Sequence, residues 1–85
     1  MNKPATLDSA LLNVLDEHGY RKYAEVIGSV WERRFEHDEE KGIIIMTTQP
    51  ANHTRTNYRF MPIGDCADVI AALKNAAKQY GGKPQ

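Results

Sequence analysis

Eighty-five residues with 41% hydrophobic content make one domain, and a chain of this size buries roughly 60% of the surface that its unfolded form exposes. Eleven Lys and Arg balance eleven Asp and Glu, and the resulting zero net charge argues against a general nucleic-acid binder, whose phosphate contacts demand a basic excess. The single cysteine, Cys66, excludes an internal disulfide and a cysteine-rich zinc site, and the lack of any long apolar run makes a cytoplasmic protein the default expectation.

Residues 1–5 read as a loose arm. Thr6 then suits a helix N-cap, with Asp8 in the first turn where a carboxylate complements the helix dipole. Leu7, Ala10, Leu11, Val14, Leu15 and His18 recur at helical spacing, and Gly19 is placed to end the helix in a left-handed conformation.

The next segment keeps a helical period. Tyr20, Tyr23, Ala24, Ile27, Val30, Trp31 and Phe35 advance by three or four residues, which predicts a second helix with one wide apolar stripe. Gly28 weakens its centre by about 1 kcal/mol relative to alanine. A rival assignment stops the helix near Ser29 and makes residues 30–37 a strand, with Trp31, Arg33, Phe35 and His37 on one face. The sustained period favours the long helix over the lone glycine.

Ile43-Ile44-Ile45-Met46-Thr47-Thr48 and Thr56-Asn57-Tyr58-Arg59-Phe60-Met61 are β-prone, and the polar segment Gln49 to Arg55 between them reads as the loop of an antiparallel hairpin. Pro62 is expected to close the second strand. Asp65 suits the N-cap of a last helix with Val69, Ile70, Leu73, Ala76, Ala77 and Tyr80 on its apolar face; Gly81-Gly82 ends it, and residues 82–85 read as a flexible end.

The expected fold is therefore a small single α+β domain, helix-helix-β-hairpin-helix over residues 1–85, with helix, three-stranded antiparallel meander and helix as the alternative. Its expected core is Leu11, Val14, Leu15, Ile27, Trp31, Ile45, Phe60, Ile70 and Leu73.

Nothing in the sequence marks a reaction. His18, His37 and His53 stand at no metal-ligand spacing, no Ser, Cys or Thr sits in a nucleophile motif, and no glycine-rich loop could cradle a phosphate. No catalytic residue, no metal site and no cofactor is assigned. The reading that remains is a small non-catalytic binding or regulatory protein, an inhibitor, adaptor or accessory protein of the kind found also in phages and mobile elements, that contacts another protein.

Two segments are the most partner-like. One is the hairpin with His53, Arg55, Tyr58 and Arg59; the other is the acidic connection with Glu39 and Glu40, suited to steering a partner. The alternative function is nucleic-acid binding, with the basic hairpin 53–59 as a wing whose arginines meet phosphates and whose Tyr58 stacks. It draws on a local charge bias: residues 42–85 carry Arg55, Arg59, Lys74, Lys78 and Lys83 against only Asp65 and Asp68.

A homodimer is also expected, because a two-stranded hairpin leaves both edges unpaired and four consecutive apolar residues cannot all lie under one layer of helices. Ile44 and Met46, facing away from Ile43 and Ile45, and the large aromatics Tyr20 and Tyr23 are the expected interface.

Overall fold

A computed structural model describes residues 6–39, 41–52 and 55–84. The elements in chain order are α1 (Leu7–Glu17), β1 (Tyr20–Ile27), β2 (Trp31–His37), β3 (Gly42–Asn52), β4 (Arg55–Gly64), α2 (Ala67–Gln79) and β5 (Lys83–Pro84). The first four strands form an antiparallel meander in the order of the chain, and β5 pairs in parallel with β4 at its far edge. Both helices pack on one face of this sheet and against each other, giving a two-layer α+β domain about 19 Å through its thinnest dimension.

The first helix follows its sequence signals. The Thr6 hydroxyl accepts a hydrogen bond from the backbone N–H of Ser9 (3.0 Å), and Gly19, at φ +83°, reverses the chain into β1. The positive φ is what favours glycine here; a side chain at Gly19 would also stand 3.1 Å from the His37 ring, which would have to give by a few tenths of an ångström.

The predicted second helix is not formed. Residues 20–27 and 31–37 are instead the first two strands, joined by a turn through Gly28, Ser29 and Val30. The rival reading of residues 30–37 as a strand is the one observed, although the meander has four strands rather than three. The misleading period has a physical source. β1 carries a bulge between Lys22 and Ala24, so Tyr20 and Ile27, seven residues apart, fall on the same face of the sheet while the residues between them change register. A bulged strand followed by a short turn mimics spacings of three and four. The composition, rich in Tyr, Val, Ile, Trp and Phe, suits strands better than a helix, and pairing with β3 decides the matter.

Residues directly opposite one another in the ladder share a face, so the register sorts the side chains. Tyr20 and His37; Phe35, Ile44 and Pro62; Arg33, Met46 and Phe60; and Trp31, Thr48 and Tyr58 form rows beneath the helices. Leu11 and Leu15 of α1 and Val69, Leu73 and Ala77 of α2 complete the core with Tyr20, Phe35, Ile44, Met46, Tyr58 and Cys66.

Of the expected core, Leu11, Leu15 and Leu73 are fully buried, and Val14, Phe60 and Ile70 pack at its margin. Ile27 is a correction, being 72% exposed at the hairpin tip. Ile45 is another, because it lies on the opposite face from Ile44 and Met46. Trp31 is half-buried.

The central hairpin is longer than expected. β3 and β4 continue the ladder to Asn52 and Arg55, and Pro62 lies inside β4, opposite Ile44, where no strand pairs on the other side. Cys66 rather than Asp65 is the N-cap of α2 and makes no side-chain cap bond; Asp68 occupies the first turn as expected. Gly81, at φ +74°, follows the helix, but the presumed tail is structured, with Lys83 and Pro84 beside Asn57 and Tyr58. The expected N-terminal arm, residues 1–5, lies outside the described residues. Among those described, no helix is long and apolar enough to cross a membrane.

Candidate functional site

The sheet has two unlike faces. One is under the helices. The other carries none among the described residues, and its rows follow from the register: Arg21, Glu36, Ile43 and Ile63 in one row; Ala24, Arg34, Ile45 and Met61 in the next; Val26, Glu32, Thr47 and Arg59 in the third. Met61 is 42% and Ile63 51% exposed, Val26 65%, and Tyr23 in the bulge is also exposed. Around these apolar groups the charges are mixed. Arg34 Nε stands 3.8 Å from Glu32, and Arg21 Nε bonds Asp38 at 2.8 Å.

This arrangement inverts the expected dimer surface. Ile44 and Met46 are fully buried and Tyr20 nearly so, because these residues belong to the rows that the helices cover. Ile43, Ile45, Met61 and Ile63 occupy the face that remains open, and of the four residues predicted for the interface only Tyr23 is exposed.

The predicted partner residues are scattered. Tyr58 is buried and its ring packs 4.9 Å from that of Phe60, so it belongs to the core rather than to a wing. Arg59 is exposed on the open face, and Glu39 is exposed in the β2–β3 turn, 3.6 Å from Lys41. His53 and Glu40 lie outside the described residues, as does the side chain of Arg55.

A second feature was hidden by the helical reading of residues 20–35. The β1–β2 tip exposes Val26, Ile27 and Val30, and beside it a cleft of about 470 Å³ opens between the tip and the first turn of α1. Leu7, Leu11, Ile27 and Trp31 provide apolar walls, and Asp8, Thr48 and Thr56 are among the polar ones. Next to it Arg33 is buried at 1% exposure on the helix-covered face. Its guanidinium lies 3.5 Å from the centre of the Trp31 ring, and Nη2 stands 2.6 Å from Asp8 Oδ1. The charges are matched, but the approach is poorly aligned for hydrogen bonding: Nε and Nη2 of Arg33 and Oδ1 of Asp8 have no well-directed partner among the described residues. The Trp31 indole N–H donates to Glu25 (2.7 Å). That bond, with one from Lys22, holds the Glu25 carboxyl below its usual range.

Titratable side chains also gather at the opposite end of the core. His18, Tyr20, His37, Lys41, Asp65, Cys66 and Asp68 border a small cavity of about 160 Å³. Their geometry is local and structural. The His18 Nδ1–H donates to the Val14 carbonyl (2.8 Å), and His37 Nδ1 accepts from the backbone N–H of Glu39 (2.9 Å). The Cys66 thiol lies 3.6 and 3.7 Å from the carbonyls of Ile43 and Ile63, and the Tyr20 hydroxyl donates to its sulfur at 3.4 Å. Among the described residues no group of three or more His, Cys, Asp or Glu is placed to hold a metal ion. Comparison with known protein families, curated proteins and solved structures found no match for this chain.

Proposed function

We propose that this chain is a non-catalytic binding or regulatory protein that contacts another protein through the helix-free face of its sheet. One observation carries the reading: that face presents Val26, Met61 and Ile63 to solvent amid charges of both signs. Apolar groups within a mixed polar surround are the composition of an interface centre and its rim. Among the described residues the hydrophobic core lies on the other side of the sheet and does not use them.

The test is retention of a partner by the immobilised protein, compared with Met61→Glu and Ile63→Glu. Both side chains are exposed, so either change alters stability by about 0.5 kcal/mol or less. A protein held by the wild type and released by both variants is the expected result; equal retention would remove the open face from the reading. A second copy of the chain is one such partner. Sedimentation equilibrium reads it directly, with mass rising with concentration for the wild type and not for Met61→Glu.

A nucleic-acid reading draws on a different observation, the placement of Arg21, Arg34 and Arg59 on the same open face. It loses its stacking residue, since Tyr58 is in the core. Affinity for duplex or single strands that collapses steeply with salt would favour it over the protein partner.

A further inference from the structure

The charges on the open face of the sheet are ordered. Along β2 they alternate in sign from row to row: Glu36, Arg34, Glu32. The apolar groups of β3 and β4 fill only the first two of these rows, with Ile43 and Ile63 in one and Ile45 and Met61 in the next. Glu36 is exposed and makes no ion pair among the described residues, and Arg34 has only a loose one, to Glu32 at 3.8 Å. The face therefore holds an unused anion and an underused cation, two residues apart on one strand beside an exposed apolar patch. With zero net charge, two copies of the chain do not repel one another at long range.

That pattern is complementary to itself. Resting on the reading of this face as a protein contact, we propose that its partner is a second copy of the chain, related by a twofold axis that runs across the strands between the first two rows. Each of those rows then lies on the other. Glu36 of each copy meets Arg34 of the other, Ile43 meets Ile45, and Ile63 meets Met61, so that charge faces opposite charge and apolar faces apolar. Stacked sheets keep their strands within about 30° of one another at a spacing of about 10 Å, which this axis satisfies and which facing Glu and Arg side chains span. Other twofold placements fit less well. An axis through a row sets Arg34 on Arg34, or a glutamate on itself. One between the second and third rows lays Arg59 on Met61 and leaves Ile43 and Ile63 outside. An axis along the strands opposes like charges, lays charges on Ile and Met, or leaves β2 uncovered.

The test exploits the crossed pair. Sedimentation equilibrium of the wild type from about 1 µM to about 1 mM, the span suited to an interface smaller than about 800 Å² per partner, is expected to show the mass doubling. Glu36→Arg sets two arginines against each other at both symmetric contacts, and Arg34→Glu sets two glutamates. Each variant alone is expected to dimerise at least about tenfold more weakly. An equimolar mixture of the two regains the dimer, because every contact between the unlike chains is again Arg against Glu. Both positions are exposed, so each variant keeps the wild-type circular dichroism spectrum, and rescue on mixing requires both to be folded. A wild type that stays at monomer mass overturns the second copy as partner. The open face would still be a protein contact if it retained another protein that Met61→Glu and Ile63→Glu release. A wild-type dimer that neither charge reversal weakens, or single variants that fail to rescue one another, overturns the placement of the axis.

Discussion

Arg33 stands where a strand side chain in a core is ordinarily aliphatic. Its neighbours in register are Glu25 on one side and Met46 on the other, and it is neutralised from above by Asp8 in the first turn of α1. Removing one member of such a pair leaves an uncompensated buried charge, whereas replacing the cation by a hydrophobe of similar volume does not. Asp8→Ala is therefore expected to cost about 3 kcal/mol, at the lower end for a buried pair because Asp8 is itself partly exposed. Asp8→Ala combined with Arg33→Met recovers most of that loss; urea denaturation of the wild type and the two variants checks it. Tyr20 offers a second test. Burial, and then the Cys66 thiol that its hydroxyl faces, push its phenol up from 10.0 to about 12. The folded state thus favours the protonated phenol. Its contribution is fully present below pH 10, where the unfolded phenol begins to ionise, and is lost as pH rises towards about 12. The urea midpoint of the wild type should fall across that window more steeply than that of Tyr20→Phe.

At the scale of elements, β3 is pinned between its neighbours and the start of α2. A Cβ on Gly42 would sit 2.5 Å from the Cys66 sulfur and 2.8 Å from the Ile63 carbonyl oxygen, and the second of these is backbone that cannot turn aside. Gly42→Ala is expected to destabilise by about 1–3 kcal/mol, the range for overpacking. Gly28→Ala, in the open β1–β2 turn with nothing within 4 Å of the added atom, should change stability by about 0.5 kcal/mol or less. The contrast also separates the two assignments of this segment, since a helix would have gained about 1 kcal/mol from alanine at position 28. What the sequence made legible follows from local chemistry: the Thr6 cap, the Gly19 reversal, the two terminal helices, the paired strands around residues 43–61 and the strand alternative for residues 30–37. What it concealed depends on long-range pairing. The bulge in β1 exists only because β2 lies beside it, and Ile44 with Met46, rather than Ile43 with Ile45, faces the core only because of where the helices dock. The cleft was out of reach for the same reason: its walls come from α1, the β1–β2 tip, β3 and β4.

For the molecule as a whole, the informative feature is that α1 and α2, at opposite ends of the chain, meet on one face over a sheet built from sequence neighbours. Each ladder of the meander closes a short loop at low entropic cost, whereas the contact between the helices must wait until nearly the whole chain is ordered. This has a consequence for the order of events in folding. The β2–β3–β4 sheet is expected to form the nucleus, with the helices sealing it afterwards. Substitutions should therefore divide by rate. Ile44→Val, at the centre of the sheet, slows folding several-fold, as expected for a residue whose contacts exist in the transition state. Leu11→Ala and Leu73→Ala each cost about 3 kcal/mol and express it almost wholly as faster unfolding, by roughly a hundredfold. Stopped-flow chevrons would show the unfolding arm rising for the helix variants while the folding arm stays in place. Loss from the folding arm in those variants would mean instead that the two ends of the chain find each other first.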